Sequence, residues 1–123
     1  MSELDIQLRD NKTRYAPGET VHGSVQWNVE GNPKRLDLSL LWYTAGKGTR
    51  DVGIIETVEI DNPGAFGSRD FAFSLPYGPY SFSGKLISLV WTLELMASPG
   101  EQTVRQEITV SPSGHEIILG SPS

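Results

Sequence analysis

Apolar side chains recur along this chain at every second residue rather than at every third or fourth. The clearest run is Ile87, Leu89, Trp91, Leu93 and Leu95, a strict period of two that suits one face of a β-strand. On a helix, at about 100° per residue, those five side chains would spread around the whole circumference. Phe71, Phe73 and Leu75 alternate in the same way just before it, and a Pro/Gly/aromatic crossing, Pro76 to Gly84, joins the two. The stretch Asp70 to Leu95 therefore predicts the central strand of a β-sandwich, entered through a rigid crossover.

The remaining segments repeat the pattern. Leu4, Ile6 and Leu8 predict a strand buried on one face. Val21, Gly23, Val25 and Trp27 predict a second, in which mid-strand Gly23 marks a bulge or a close approach by another segment. Leu36, Leu38, Leu40 and Trp42 form the inward phase of a third, with Leu41 and Tyr43 on its other face, so that strand is covered on part of both sides. Val52, Ile54, Val58 and Ile60 continue one phase, interrupted at Glu56, with Ile55 facing the other way. Val104, Ile108 and Val110 form a last long strand, backed by Arg105, Glu107 and Thr109. Turn signals separate these runs: Pro17-Gly18 as a type II turn, Glu30 to Pro33, Asp61 to Gly64, and Ser98-Pro99-Gly100. The expectation is an all-β sandwich of about seven to eight strands over residues 1–112. Residues 113–123 form a tail in which Ile117 to Leu119 adds a short strand or covers an edge. Trp27, Trp42 and Trp91 all fall in the inward phase of their strands, which predicts one shared core.

Composition narrows the chemistry. At 123 residues the chain is long enough for one domain with a real core. It has no cysteine, so disulfides and thiolate chemistry are out of reach. A net charge of −5 argues against nucleic-acid binding. The N-terminus lacks the basic and apolar regions of a signal peptide, and no apolar run would span a bilayer. A cytoplasmic protein without integral membrane association is expected. Arg9 to Arg14 is a polar connection with three basic residues, read as a solvated loop rather than an anion site. His22, in the polar phase, has no second histidine at ligand spacing. The glycine-spaced Gly46-Lys47-Gly48-Thr49 precedes a strand, not a helix, and reads as a hairpin connection rather than a phosphate loop. Asp51, Asp61 and Asp70 sit near strand ends with no spacing that selects a catalytic pair, and no serine lies in a nucleophile elbow. No catalysis, cofactor or metal is expected.

Two motifs together resemble a known family. Tyr15, Pro17, Gly18, Glu19, Val21, Gly23 and Val25 follow the Y-x-PGE-x-V-x-G-x-V pattern that opens arrestin-type domains. Phe71, Phe73, Leu75, Pro76, Pro79, Ser81, Phe82 and Gly84 are similar to the F-x-F-x-LP…P-SF-x-G crossing of the same domains. The resemblance implies an immunoglobulin-like antiparallel sandwich of arrestin type that serves as a non-catalytic adaptor, as in arrestins, the retromer coat subunit and bacterial sporulation-control relatives. Those proteins carry two such domains in tandem, and this chain has the length of one. The adjacent lysine pair that reads receptor phosphates is missing, since Asp5, Gln7 and Arg9 stand there; phosphoreceptor binding is not carried over.

Two functions remain in view. The first is a protein-interaction scaffold, working through a homodimer or an unidentified protein partner. Its candidate edge is Thr103 to Val110, with Arg105 and Glu107 blunting it and Ile117 of the tail pairing with it or competing for it. The second is a small-ligand or carbohydrate site on Tyr77, Tyr80 and Phe82 of the crossing, or on Tyr43; the plainer reading is that these rings plug the end of the sandwich.

Overall fold

The computed structural model describes residues 3–46, 50–84, 86–99 and 102–113, and the backbone of 117–118. Ten strands occur among them: β1 (Glu3–Leu8), β2 (Arg14–Tyr15), β3 (Thr20–Asn28), β4 (Arg35–Gly46), β5 (Val52–Asp61), β6 (Phe66–Ser74), β7 (Phe82–Ser83), β8 (Ile87–Ser98), β9 (Gln102–Val110) and β10 (Ile117–Ile118). One sheet runs β1-β3-β6. The larger runs β10-β7-β8-β4-β5, with β9 also on β8 and β2 parallel to the end of β9. The inner faces of the two sheets meet in one core, as the all-β sandwich of the sequence requires.

That core has the expected register. Leu36, Leu38, Leu40 and Trp42 on β4 stand directly opposite Ala97, Leu95, Leu93 and Trp91 on β8. Trp91 is 0% exposed, Trp27 is buried, and Trp42 packs against the same cluster from its margin. Three inward rings each lie over a glycine directly across the ladder: Trp27 over Gly67, Trp42 over Gly53, and Phe71 over Gly23. A Cβ on any of these glycines would meet the ring at 2.7 Å or less. Gly23 is therefore the close approach that its mid-strand position announces, and no bulge interrupts its pairing.

The crossing between β6 and β8 is stitched into this core. The Trp91 Nε1–H donates to the Pro79 carbonyl at 2.9 Å. Buried Ser81 donates its N–H to the Val110 carbonyl, and its hydroxyl accepts from the Val110 N–H at 2.9 Å.

Two expectations change. The alternation of β5 does not run through. Leu40 pairs with Glu56 but Leu41 with Ile54, so Ile55 is an extra, bulged residue. Val58 and Ile60 keep the inward phase of Leu38 and Leu36. Val52 and Ile54 are thrown onto the outer face beside Tyr43 and Leu41, because one added residue reverses every side chain beyond it. The tail also differs: Ile117–Ile118 pairs in parallel with Phe82–Ser83 of β7, not with β9. The end of β9 is already taken, with Thr109 and Val110 laddered to Arg14 and Tyr15 and the Val110 N–H bonded to Ser81. Leu119 lies outside the described residues.

Candidate functional site

The first motif turns out to be a structural clasp. Gly18 has φ +81 and the Glu19 N–H returns to the Ala16 carbonyl at 3.1 Å, the type II turn expected of Pro17-Gly18. The Glu19 carboxylate accepts from the Ala16 N–H at 2.8 Å and pairs with Lys12, while the buried Tyr15 hydroxyl donates to the Lys12 carbonyl. Lys12 also lies over the Tyr15 ring. Of the basic residues in the Arg9 to Arg14 connection, Lys12 is thus committed to the fold. The hydrogen bond from Lys12, then that from Ala16, holds the Glu19 carboxyl below its ordinary value of 4.5. A depressed folded value stabilises above the unfolded one and is lost as pH falls through it. Glu19→Gln is therefore expected to flatten the acid limb of stability below about pH 4.5. Thermal melts of both proteins from about pH 6 to about pH 3 check this; parallel acid limbs would contradict it.

The aromatics of the crossing do not gather into a platform. Phe82 packs against the core, Tyr77 lies over Gly18 with most of its ring in solvent, and Tyr80 is about one-third exposed. Neither tyrosine lines any of the three clefts that follow. The widest, about 930 Å³, runs past Glu3, Asp5, Asn28, Phe66 and Gln102. A second, about 510 Å³, lies on the smaller sheet among Gln7, Arg9, His22, Ser24 and Asp70. No three His, Cys, Asp or Glu side chains among the described residues converge as metal ligands would.

The third cleft, about 190 Å³, differs in setting. It lies on the outer face of the larger sheet between Leu41, Tyr43, Val52, Ile54, Glu94 and Arg105. Over β8 and β9 this face is covered by its own polar side chains. Arg105 pairs with Glu94 at 2.7 Å and spreads over the Tyr43 ring at 5.9 Å, and the Thr92 hydroxyl reaches the Gln106 carbonyl. Leu41 beneath is only 7% exposed. Toward β5 the cover stops. Val52 is 55% exposed, Ile54 64% and Ile55 39%, a run of apolar side chains on a strand that pairs with β4 alone among the described residues.

Farther along the same face, the chemistry reverses. Glu59 stands directly opposite Asp37 across the β4–β5 ladder, where like charges destabilise. Asp37 accepts from Arg35 Nε at 3.2 Å through Oδ2, but its buried Oδ1 has no hydrogen-bond partner. Asp61 follows on the same face.

The structure thus brings Arg105 into an ion pair on this face and leaves Glu107 exposed opposite Thr92. β9 is bounded by β8 along most of its length, with β1 alongside. Among the described residues β5 of the larger sheet and β6 of the smaller are long strands laddered on one side only, and alternation alone does not mark β5 as an edge. The adjacent pair Ile54-Ile55, breaking an otherwise regular alternation, was the available signal. Lys47, Gly48 and Thr49 lie outside the described residues, but β4 and β5 do pair as an antiparallel hairpin.

No protein-family model matches the chain, and no curated protein matches it in sequence. Among solved structures it is similar to Spo0M, a sporulation control protein from Bacillus subtilis, at 23% identity and a TM-score of 0.59, over 89% of this chain and 49% of Spo0M. It is also similar to part of a β-glucosidase from Listeria innocua, at 11% identity and a TM-score of 0.50, over 95% of this chain and 16% of the enzyme. The chain spans about half the length of Spo0M. These likenesses are of fold, and the first supports the arrestin-like sandwich that the two motifs imply. Among the described residues no helix is long and apolar enough to cross a membrane.

Proposed function

We propose that this chain is a non-catalytic protein-interaction module, and that its binding surface is the outer face of the larger sheet where it meets β5. The observation that carries the reading is the cluster Val52, Ile54 and Ile55, large apolar side chains left in water on a strand that, among the described residues, pairs on one side only. A sheet edge with its apolar side chains uncovered is a ready template for another chain. The control role named for Spo0M is of the kind a binding domain without a catalytic constellation serves.

The test is a comparison of native-cell pull-downs made with the parent chain and with a Val52→Lys/Ile54→Lys variant. Both substitutions sit at exposed positions, so the variant should keep the parent's circular dichroism and melting. The expected result is loss of the specifically captured partners. Undiminished capture by a folded variant would remove the surface from the account.

A further inference from the structure

The charge beside the apolar strip specifies what kind of chain would suit it. We infer that β5 takes up an extended segment of another protein as an added strand, with Lys or Arg at one end and apolar residues at the other. The inference rests on the interaction reading above and specifies the partner's chemistry.

The bulge at Ile55 divides the outer face of β5 into two halves. Val52 and Ile54 make one half apolar; Thr57, Glu59 and Asp61 make the other polar and acidic. Across Val52–Asp61 there are three carboxylates, Glu56, Glu59 and Asp61, and no basic residue. Directly opposed residues of an added strand share a face with their partners, so each half selects by its own chemistry. Side chains opposite Val52 and Ile54 gain from being apolar. Side chains near Glu59 and Asp37 gain from being cationic, because on this face of β4 and β5 the carboxylates Asp37, Glu59 and Asp61 share one cation, Arg35. Arg35 pairs with Asp37 Oδ2 and stands opposite Asp61, while Asp37 Oδ1 has no hydrogen-bond partner. In an antiparallel ladder, the more stable kind, the basic end of the segment comes first in its sequence.

A second copy of this chain fits the edge poorly. Antiparallel self-pairing along all of β5 would set Glu59 opposite Ile54 and Asp61 opposite Val52, carboxylate against hydrocarbon in both halves. Two chains of net charge −5 would also repel at a distance. Bulges and charges commonly guard edge strands against indiscriminate pairing. Here they leave the apolar half open, so the guard discriminates by charge rather than closing the edge.

The probe is a labelled synthetic peptide, Lys-Thr-Lys-Thr-Ile-Thr-Ile-Thr, beside its counterpart with Glu for each Lys. Each is titrated by fluorescence anisotropy into the parent chain, Glu59→Lys and Ile54→Asp, at low salt. The lysine peptide should bind the parent about tenfold or more tightly than the glutamate peptide. Glu59→Lys should reverse that order, Ile54→Asp should weaken the lysine peptide, and amide shifts in the parent should concentrate on Val52–Asp61. Equal binding of the two peptides, no binding of either, or an unchanged order in Glu59→Lys would overturn the inference. So would sedimentation velocity showing the parent dimerised through this edge, with the dimer lost in Ile54→Asp. Should the peptides fail while Val52→Lys/Ile54→Lys still loses its pull-down partners, the strand chemistry falls and the interaction reading stands.

Discussion

Replacing Trp91 by alanine is expected to cost about 3–5 kcal/mol of folding stability, the largest loss of any single truncation considered for this chain. Trp91 is wholly buried at the centre of β8, pairs across the ladder with Trp42, and gives up its indole N–H to the Pro79 carbonyl. The truncation therefore removes transfer free energy, opens a cavity among rigid strands that collapse poorly, and frees a carbonyl that anchors the crossing. With no disulfide to offset it, a loss of this size is a large share of the whole for a domain of 123 residues. Urea melts of both proteins measure the difference. Trp91→Phe separates the terms, since it keeps much of the volume but not the hydrogen bond and should fall between the two. A loss under about 1 kcal/mol for Trp91→Ala would mean that the core is not organised around this ring.

Gly23→Val should destabilise by about 3 kcal/mol through the opposite fault, too much volume. A Cβ at Gly23 would stand 2.3 Å from the Gln7 carbonyl oxygen and 2.7 Å from Phe71 Cζ. The ring could swing aside at some cost in packing, but the carbonyl belongs to the β1 backbone, which pairs with β3 along its length. Relief must come from parting β1 and β3 or from bending the small sheet. Valine would otherwise favour a strand, so the sign of the effect discriminates cleanly. A neutral or stabilising result in the same urea assay would show that β1 can move away without loss. Gly31→Val is the useful control, because nothing lies within 4 Å of a Cβ there and only its positive φ would count against it.

The fold was legible because alternation and turn chemistry agreed over most strands. The inward phase of Trp27, Trp42 and Trp91, the type II turn at Pro17-Gly18, and the Phe71-to-Gly84 crossing each reappear where their residues place them. What escaped the pattern is set by cross-strand register, which a single strand does not carry. Val52, Ile54, Val58 and Ile60 look like one face until β4 supplies the pairing that makes Ile55 an extra residue. The Asp37–Glu59 juxtaposition exists only once β4 and β5 are aligned, although the residues are 22 apart in sequence (59 − 37). The tail partner depended on which edges other segments had already occupied. Arg105 and Glu107 were singled out for their charge, but whether a charge is spent internally follows from its neighbours, and Arg105 has Glu94 and Tyr43.

The bulged residue also links two parts of the molecule that would otherwise seem unrelated. With Ile55 looped out, Gly53 lies beneath the Trp42 indole, and Ile54 is turned to water. Remove that one residue's offset and the ladder would instead put Ile54 under Trp42, where the ring leaves room for no side chain at all. The seat of an inner tryptophan and the stickiness of the outer surface are thus two readings of a single register shift. The same ten residues laddered without the bulge would have to shrink either the isoleucine or the indole, and would present a different edge to their surroundings. Which residue of this arm stands across from Trp42, glycine or isoleucine, therefore decides both whether a bulky ring fits there and whether the neighbouring rim is greasy or wetted.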